Sequence, residues 1–116
     1  MTVTYIIEKL SSCDFIVDLK IIDINVEPPI QSLKAKAVLK NGYILQVTES
    51  IGIDFRRYSY HLQKGNDMIK RWDNAPHWKN IKTFPYHVHI QNDIKPMESL
   101  EVFIEDILQD LKNMFQ

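Results

Sequence analysis

The sequence predicts a single α+β domain, an antiparallel meander sheet of about six strands packed by a C-terminal helix and a short N-terminal helix. Three observations predict it. Alternating, β-branched runs recur along the first two thirds of the chain, turn signals separate them, and the last stretch changes to a helical period. A length of 116 residues, 45% hydrophobic and 25% charged, suits one domain over residues 1–116, with no repeat or low-complexity tract to divide it.

Residues 3 to 11 place Val3, Ile6, Ile7 and Leu10 on one helical face. From Phe15 to Val26 the β-branched content argues a long strand, which Glu27-Pro28-Pro29 ends. Leu33 to Leu39 alternates, Asn41-Gly42 is the strongest short hairpin signal, and Tyr43 starts a return strand to about Glu49. Asp54 to His61, the turn Lys64-Gly65-Asn66-Asp67 and Met68 to Asp73 form the next hairpin. Asn74 to Pro85 is a loop, because Pro76 and Pro85 exclude a central strand or helix. Tyr86 to Ile90 then reads as a short strand with His87 and His89 on one face. A closing helix follows, with Ser99 as N-cap, Glu101 in the first turn and an apolar stripe of Leu100, Phe103, Ile104, Ile107, Leu108, Leu111 and Phe115. Glu98, Glu101, Glu105, Asp106 and Asp110 make its other surface acidic, and the stripe is expected to pack on the sheet.

Charge narrows the function classes. Lys+Arg 14 against Asp+Glu 15 leaves a net charge of -1, so no global basic field draws the protein to nucleic acid or membrane, and any nucleic-acid contact must come from a local patch. The lone Cys13 excludes an intramolecular disulfide and a multi-cysteine zinc site, and reads as a small buried residue in a reducing, cytoplasmic compartment. Met1-Thr2-Val3-Thr4-Tyr5 carries no basic n-region, and charges interrupt every apolar run short of the roughly 20 residues of a membrane span, so neither export nor insertion is expected.

All four histidines, His61, His77, His87 and His89, lie between Tyr58 and His89. An unperturbed imidazole titrates at about 6.5, so such clustering points to acid/base or ligand chemistry. His87 and His89 on one strand face stand about 6 to 7 Å apart at Cα. A metal held at His61, His77, His87 and His89, with Asp73 as a further donor, is one reading, and backbone-bonded histidines with no ligand are the plain alternative. Metal-free phosphodiester cleavage is another: one His takes a ribose 2′-OH proton, a second protonates the leaving oxygen, and Arg71 or Arg57 stabilises the phosphorane, with Lys70 or Lys82 adding charge. Tyr58, Tyr60, Trp72 and Trp78 are candidates to stack on unpaired bases, set against a plain role of Tyr58, Tyr60 and Trp72 in the core and of Arg57 and Arg71 on a solvated face. Asp73 would hold a histidine in one tautomer, or Asp73 and Asn74 would close the turn that leaves the strand.

Taken together, Tyr58-Ser59-Tyr60-His61, Arg71-Trp72-Asp73-Asn74-Ala75-Pro76-His77 and Phe84-Pro85-Tyr86-His87-Val88-His89, followed by a helix, resemble the TumE-family toxins of prokaryotic toxin-antitoxin modules. The likeness covers about the last half of the chain. It implies a cytoplasmic toxin silenced by a cognate antitoxin that commonly carries a helix-turn-helix domain. By resemblance the functional positions are Tyr58, His61, Arg71, Trp72, Asp73, Asn74, His77, His87 and His89. The family often has paired histidines after Ala-Pro and after Phe-Pro, whereas here Trp78 and Tyr86 take one place in each pair. Three functions follow as expectations: a metal-independent ribonuclease, a non-enzymatic module that binds an antitoxin or cellular target, and a metal-dependent hydrolase. RNA and a second copy of the chain join the antitoxin as candidate partners, and the acidic helix face and the edge strand of the meander are candidate docking surfaces.

Overall fold

A computed structural model describes residues 1–115. The elements are α1 (Val3–Ser11), β1 (Ile16–Asn25), β2 (Gln31–Leu39), β3 (Ile44–Ile51), β4 (Arg56–Lys64), β5 (Asp67–Asp73), β6 (His87–Ile90), β7 (Met97–Glu98) and α2 (Ile104–Met114). The seven strands lie in one sheet in chain order, each antiparallel to the next, so the α+β meander expected from the sequence is the fold.

The turns follow their residues. At Asn41-Gly42 the glycine has φ 85° and the Asn41 side chain accepts from the Tyr43 amide at 3.2 Å. Gly65 has φ 59° at the first central position between the paired Lys64 and Asp67, the position that a type II′ hairpin turn gives to glycine. Thr2 caps α1 by accepting from the Tyr5 amide at 3.1 Å, and Val3, Ile6 and Leu10 are buried beneath it.

Alternation then sorts the two faces of the sheet. Leu33, Ala35, Ala37, Leu45, Val47, Tyr58, Tyr60, Leu62, Trp72 and Val88 point to one side and close a core with the apolar faces of α1 and α2. Among the described residues the other side carries no helix. There Ser59, His61, Arg71, Asp73, His87 and His89 take the intervening positions of three neighbouring strands. Among the described residues no helix is long and apolar enough to cross a membrane.

The closing helix differs from the expectation. It begins at Ile104 rather than at Ser99, because Met97 and Glu98 pair with Val88 and His87 as a seventh strand. The Ser99 amide donates to Thr83 Oγ1 at 3.1 Å and its hydroxyl to the Leu100 carbonyl at 2.8 Å, so the serine closes the strand pair instead of capping a helix. Phe103 is the N-cap, its amide bonded to Asp106 Oδ2 at 2.8 Å, and Leu100, expected in the stripe, is 80% exposed. Ile104, Ile107 and Leu111 are the buried part of that stripe.

Candidate functional site

The helix-free face gathers most of the predicted residues by strand register alone. His61 on β4 stands opposite Arg71 on β5, which stands opposite His89 on β6. One step along, Ser59, Asp73 and His87 form the adjoining row. Two shallow hollows of about 170 and 340 Å³ run along these rows and share Thr48, Ser59 and Arg71; Arg57 and Asp73 line the first, Gln46 and His61 the second.

Asp73 is the hub. Its buried carboxylate accepts from the Ala75 amide at 3.0 Å and faces Arg71 Nε at 3.2 Å, His87 Nε2 at 2.9 Å and His89 Nε2 at 3.6 Å. His87 is 2% exposed, and its Nδ1 lies 2.9 Å from the Pro85 carbonyl. A carbonyl can only accept, so Nδ1 is the donor of that contact, and Nε2 is the ring nitrogen that faces the carboxylate. His87 is thereby a fixed, interior member of the group.

His89 and His61 are the half-exposed members. Burial lowers the His89 pKa from its ordinary value; Asp73 opposes that, and the charges of His87 and Arg71 reinforce it. Burial, then Arg71, likewise lowers the His61 pKa. The rings of His87 and His89 meet edge to face at 4.9 Å, and exposed Trp78 meets His89 edge-on at 6.3 Å.

Other sequence candidates fall elsewhere. His77 is exposed and lines a separate hollow of about 330 Å³ with Trp78, Lys79, Ile81 and Lys95. Tyr58, Tyr60 and Trp72 are 3%, 0% and 5% exposed on the core side, so their rings offer no open face for stacking here. Burial raises the Tyr58 pKa to about 12. Asn74 is buried, accepts from the Tyr58 amide at 2.9 Å and donates to the Arg56 carbonyl at 2.7 Å, closing the exit from β5. Tyr86 stacks on Tyr58 with ring centres 6.5 Å apart. Cys13, in the turn between α1 and β1, has its thiol pKa raised by burial.

Sequence reading missed Arg56 and Glu49. Glu49 is fully buried and holds Arg56 through two bonds of 3.0 and 2.8 Å, while Tyr60 also bonds its carboxylate. Arg56 reaches on to Glu101 at 3.2 Å and the Val102 carbonyl at 2.8 Å, and its guanidinium lies over the Tyr58 and Phe103 rings at 4.1 and 4.5 Å. Burial opposes the Arg56 charge, yet Glu49 more than offsets it and the Arg56 pKa is raised; burial and then Glu49 raise that of Tyr60. The network pins β4 to the segment entering α2. Its signal was the strict alternation Leu45, Val47, Glu49, which aims a carboxylate inward where only a paired one is tolerated.

One ligand atom from each of Asp73, His87 and His89 lies within 4.8 Å of the others, so these three residues, rather than the four histidines, are the group of a size to hold a metal ion. Among the models of known families, the one described as Toxin TumE matches residues 5–115. No curated protein and no solved structure matches the chain.

Proposed function

The chain belongs to the TumE toxin family, the toxin half of a toxin–antitoxin pair, and on that premise we propose that it acts by cleaving single-stranded RNA without a metal ion. The observation that carries this reading is the single cross-strand row His61, Arg71, His89. Neighbouring strands lie about 4.8 Å apart, so the two imidazoles flank the guanidinium with roughly 10 Å between their Cα atoms. That separation lets a phosphodiester sit on Arg71 with a proton acceptor on one side and a proton donor on the other.

His61, whose charged neighbour is Arg71, is the base that takes the 2′-OH proton. The freed O2′ attacks phosphorus, the bond to the 5′ oxygen breaks, and His89 protonates that oxygen, leaving a 2′,3′-cyclic phosphate and a 5′-OH. His89 is the acid because Asp73 at 3.6 Å favours its cation. Arg71 compensates the charge that grows on the phosphorane oxygens. Asp73 and His87 touch no substrate in this scheme; they position Arg71 and His89. Trp78, against His89 and 37% exposed, offers its ring to the base next to the scissile bond. The partner that silences the toxin is a cognate antitoxin with a helix-turn-helix domain, which would act by covering this face.

The test is cleavage of a single-stranded RNA by purified wild type, His61→Ala and His89→Ala in the presence of chelator, with the new ends identified. Cyclic-phosphate ends from the wild type alone support the reading. Intact RNA in vitro and in cells arrested by induced expression would overturn it and leave the binding module. A second reading, a metal-dependent hydrolase, is favoured by the closeness of Asp73, His87 and His89. It requires stoichiometric metal that is lost in His87→Ala and cleavage that chelator abolishes.

A further inference from the structure

Extended across the whole sheet, the catalytic row is longer than the site. The register runs from His89 through Arg71, His61 and Gln46 to Lys36 on β2 and Lys20 on β1. Six residues on six adjacent strands, five of them cationic or able to become so, occupy one line on the helix-free face. We propose that Lys36 and Lys20 continue the site as a track for the phosphates of single-stranded RNA running across the strands, a proposal that rests on the ribonuclease reading above.

At about 4.8 Å per strand the line is roughly 24 Å long. It therefore accepts an extended strand of about four nucleotides or more, comparable to other single-strand grooves. Lys20 is exposed and Lys36 half-buried, and among the described residues no carboxylate lies within ion-pairing distance of either. Asp18 and Asp23 share the face, but they stand opposite Val38 and Lys34, outside the line. Asp73 and Glu98 also take this face, opposite His87 in the adjoining row, and Asp73 pairs with Arg71; on the other side of the sheet Glu105 and Asp106 open α2, Asp110 pairs with Lys70, and Glu101 binds Arg56. A chain with net charge -1 thus carries a cationic strip on this face, and that strip leads to the two half-exposed histidines.

The probe is a 2′-O-methyl RNA 12-mer, which binds as RNA does but has no free 2′-OH and cannot be cut, so binding is measured apart from turnover. Affinity is followed between 50 and 200 mM salt for the wild type, for Lys20→Gln/Lys36→Gln and for a control on α2, Lys112→Gln. Each lost phosphate contact flattens the plot of log affinity against log salt by about 0.7. The double variant is therefore expected to lose about 1.4 from the slope and on the order of tenfold in affinity at 100 mM salt. The control is expected to keep both, and circular dichroism should show all three folded. Wild-type slope in the folded double variant overturns the track even if the protein cuts RNA. Binding that depends on the two lysines in a protein that never cuts RNA upholds the track and overturns the nuclease reading. Failure of the wild type to bind the 12-mer, with the two lysines needed instead for the antitoxin, overturns the track and assigns the strip to the partner protein.

Discussion

His87 Nε2 lies 2.9 Å from Asp73 Oδ1 while its Nδ1 lies 2.9 Å from the Pro85 carbonyl, so one buried ring links the end of β5 to the loop that delivers β6. The pair fixes more than itself. Asp73 also faces Arg71 and His89, so two of the side chains proposed to touch substrate take their position from a carboxylate that does not.

Asp73→Ala should therefore damage both the fold and the chemistry. It leaves the Ala75 amide and the buried His87 ring without their acceptor, at a cost of about 3 kcal/mol. Urea unfolding of the variant beside the wild type measures this. An unchanged midpoint would show that the Asp73 and His87 bond contributes nothing to stability.

His61→Ala and His89→Ala should behave differently, because both side chains are half-exposed and neither is part of the core. Loss of either proton carrier should lower cleavage by about 10² to 10⁴-fold with stability unchanged within about 0.5 kcal/mol. Single-turnover rates and thermal melts on the same preparations check both halves of the statement.

The pH profile follows from the direction of two shifts. The pKa values of His61 and His89 are both lowered, by burial first. A base must have lost its proton and an acid must keep it, so kcat/KM should peak on the acid side of the ordinary imidazole value, below about 6.5. Between the unfolded and the lowered folded values the unfolded chain binds more protons, so the two residues' contribution to stability is present above about 6.5 and lost as pH falls below it. A rate maximum above pH 7 would contradict this assignment.

Glu49→Ala should be the costliest of these changes. Arg56 would keep its charge in a site where its side chain is 10% exposed and its buried partner gone, a loss of about 3 to 5 kcal/mol. Tyr60→Phe removes one bond to the same carboxylate and one that the hydroxyl accepts from Arg56 at 3.2 Å, and should cost about 1 to 2 kcal/mol. Denaturant melts that rank the two in the opposite order would show that Tyr60, not Arg56, anchors Glu49.

By itself the sequence determined six of the seven strands, the hairpin turns and the parity of the site. Asn41-Gly42 and Lys64-Gly65-Asn66-Asp67 are local signals because positive φ favours glycine, and period-two alternation set His87 and His89 on one face before any strand was paired. The compound motif from Tyr58 to His89 also carried the family, to which the match over residues 5–115 assigns the chain. Tertiary structure decided what pairing and burial decide. Register, which no local pattern fixes across separate hairpins, put His61 and His89 on either side of Arg71 and left His77 outside. Burial drew Tyr58, Tyr60 and Trp72 inward, since an aromatic on an alternating strand looks the same in sequence whether its face meets a helix or water. The late start of α2 was likewise hidden: Met97 and Glu98 are a strand only because β6 offers them an edge, and Ser99 caps nothing because the helix starts only at Ile104.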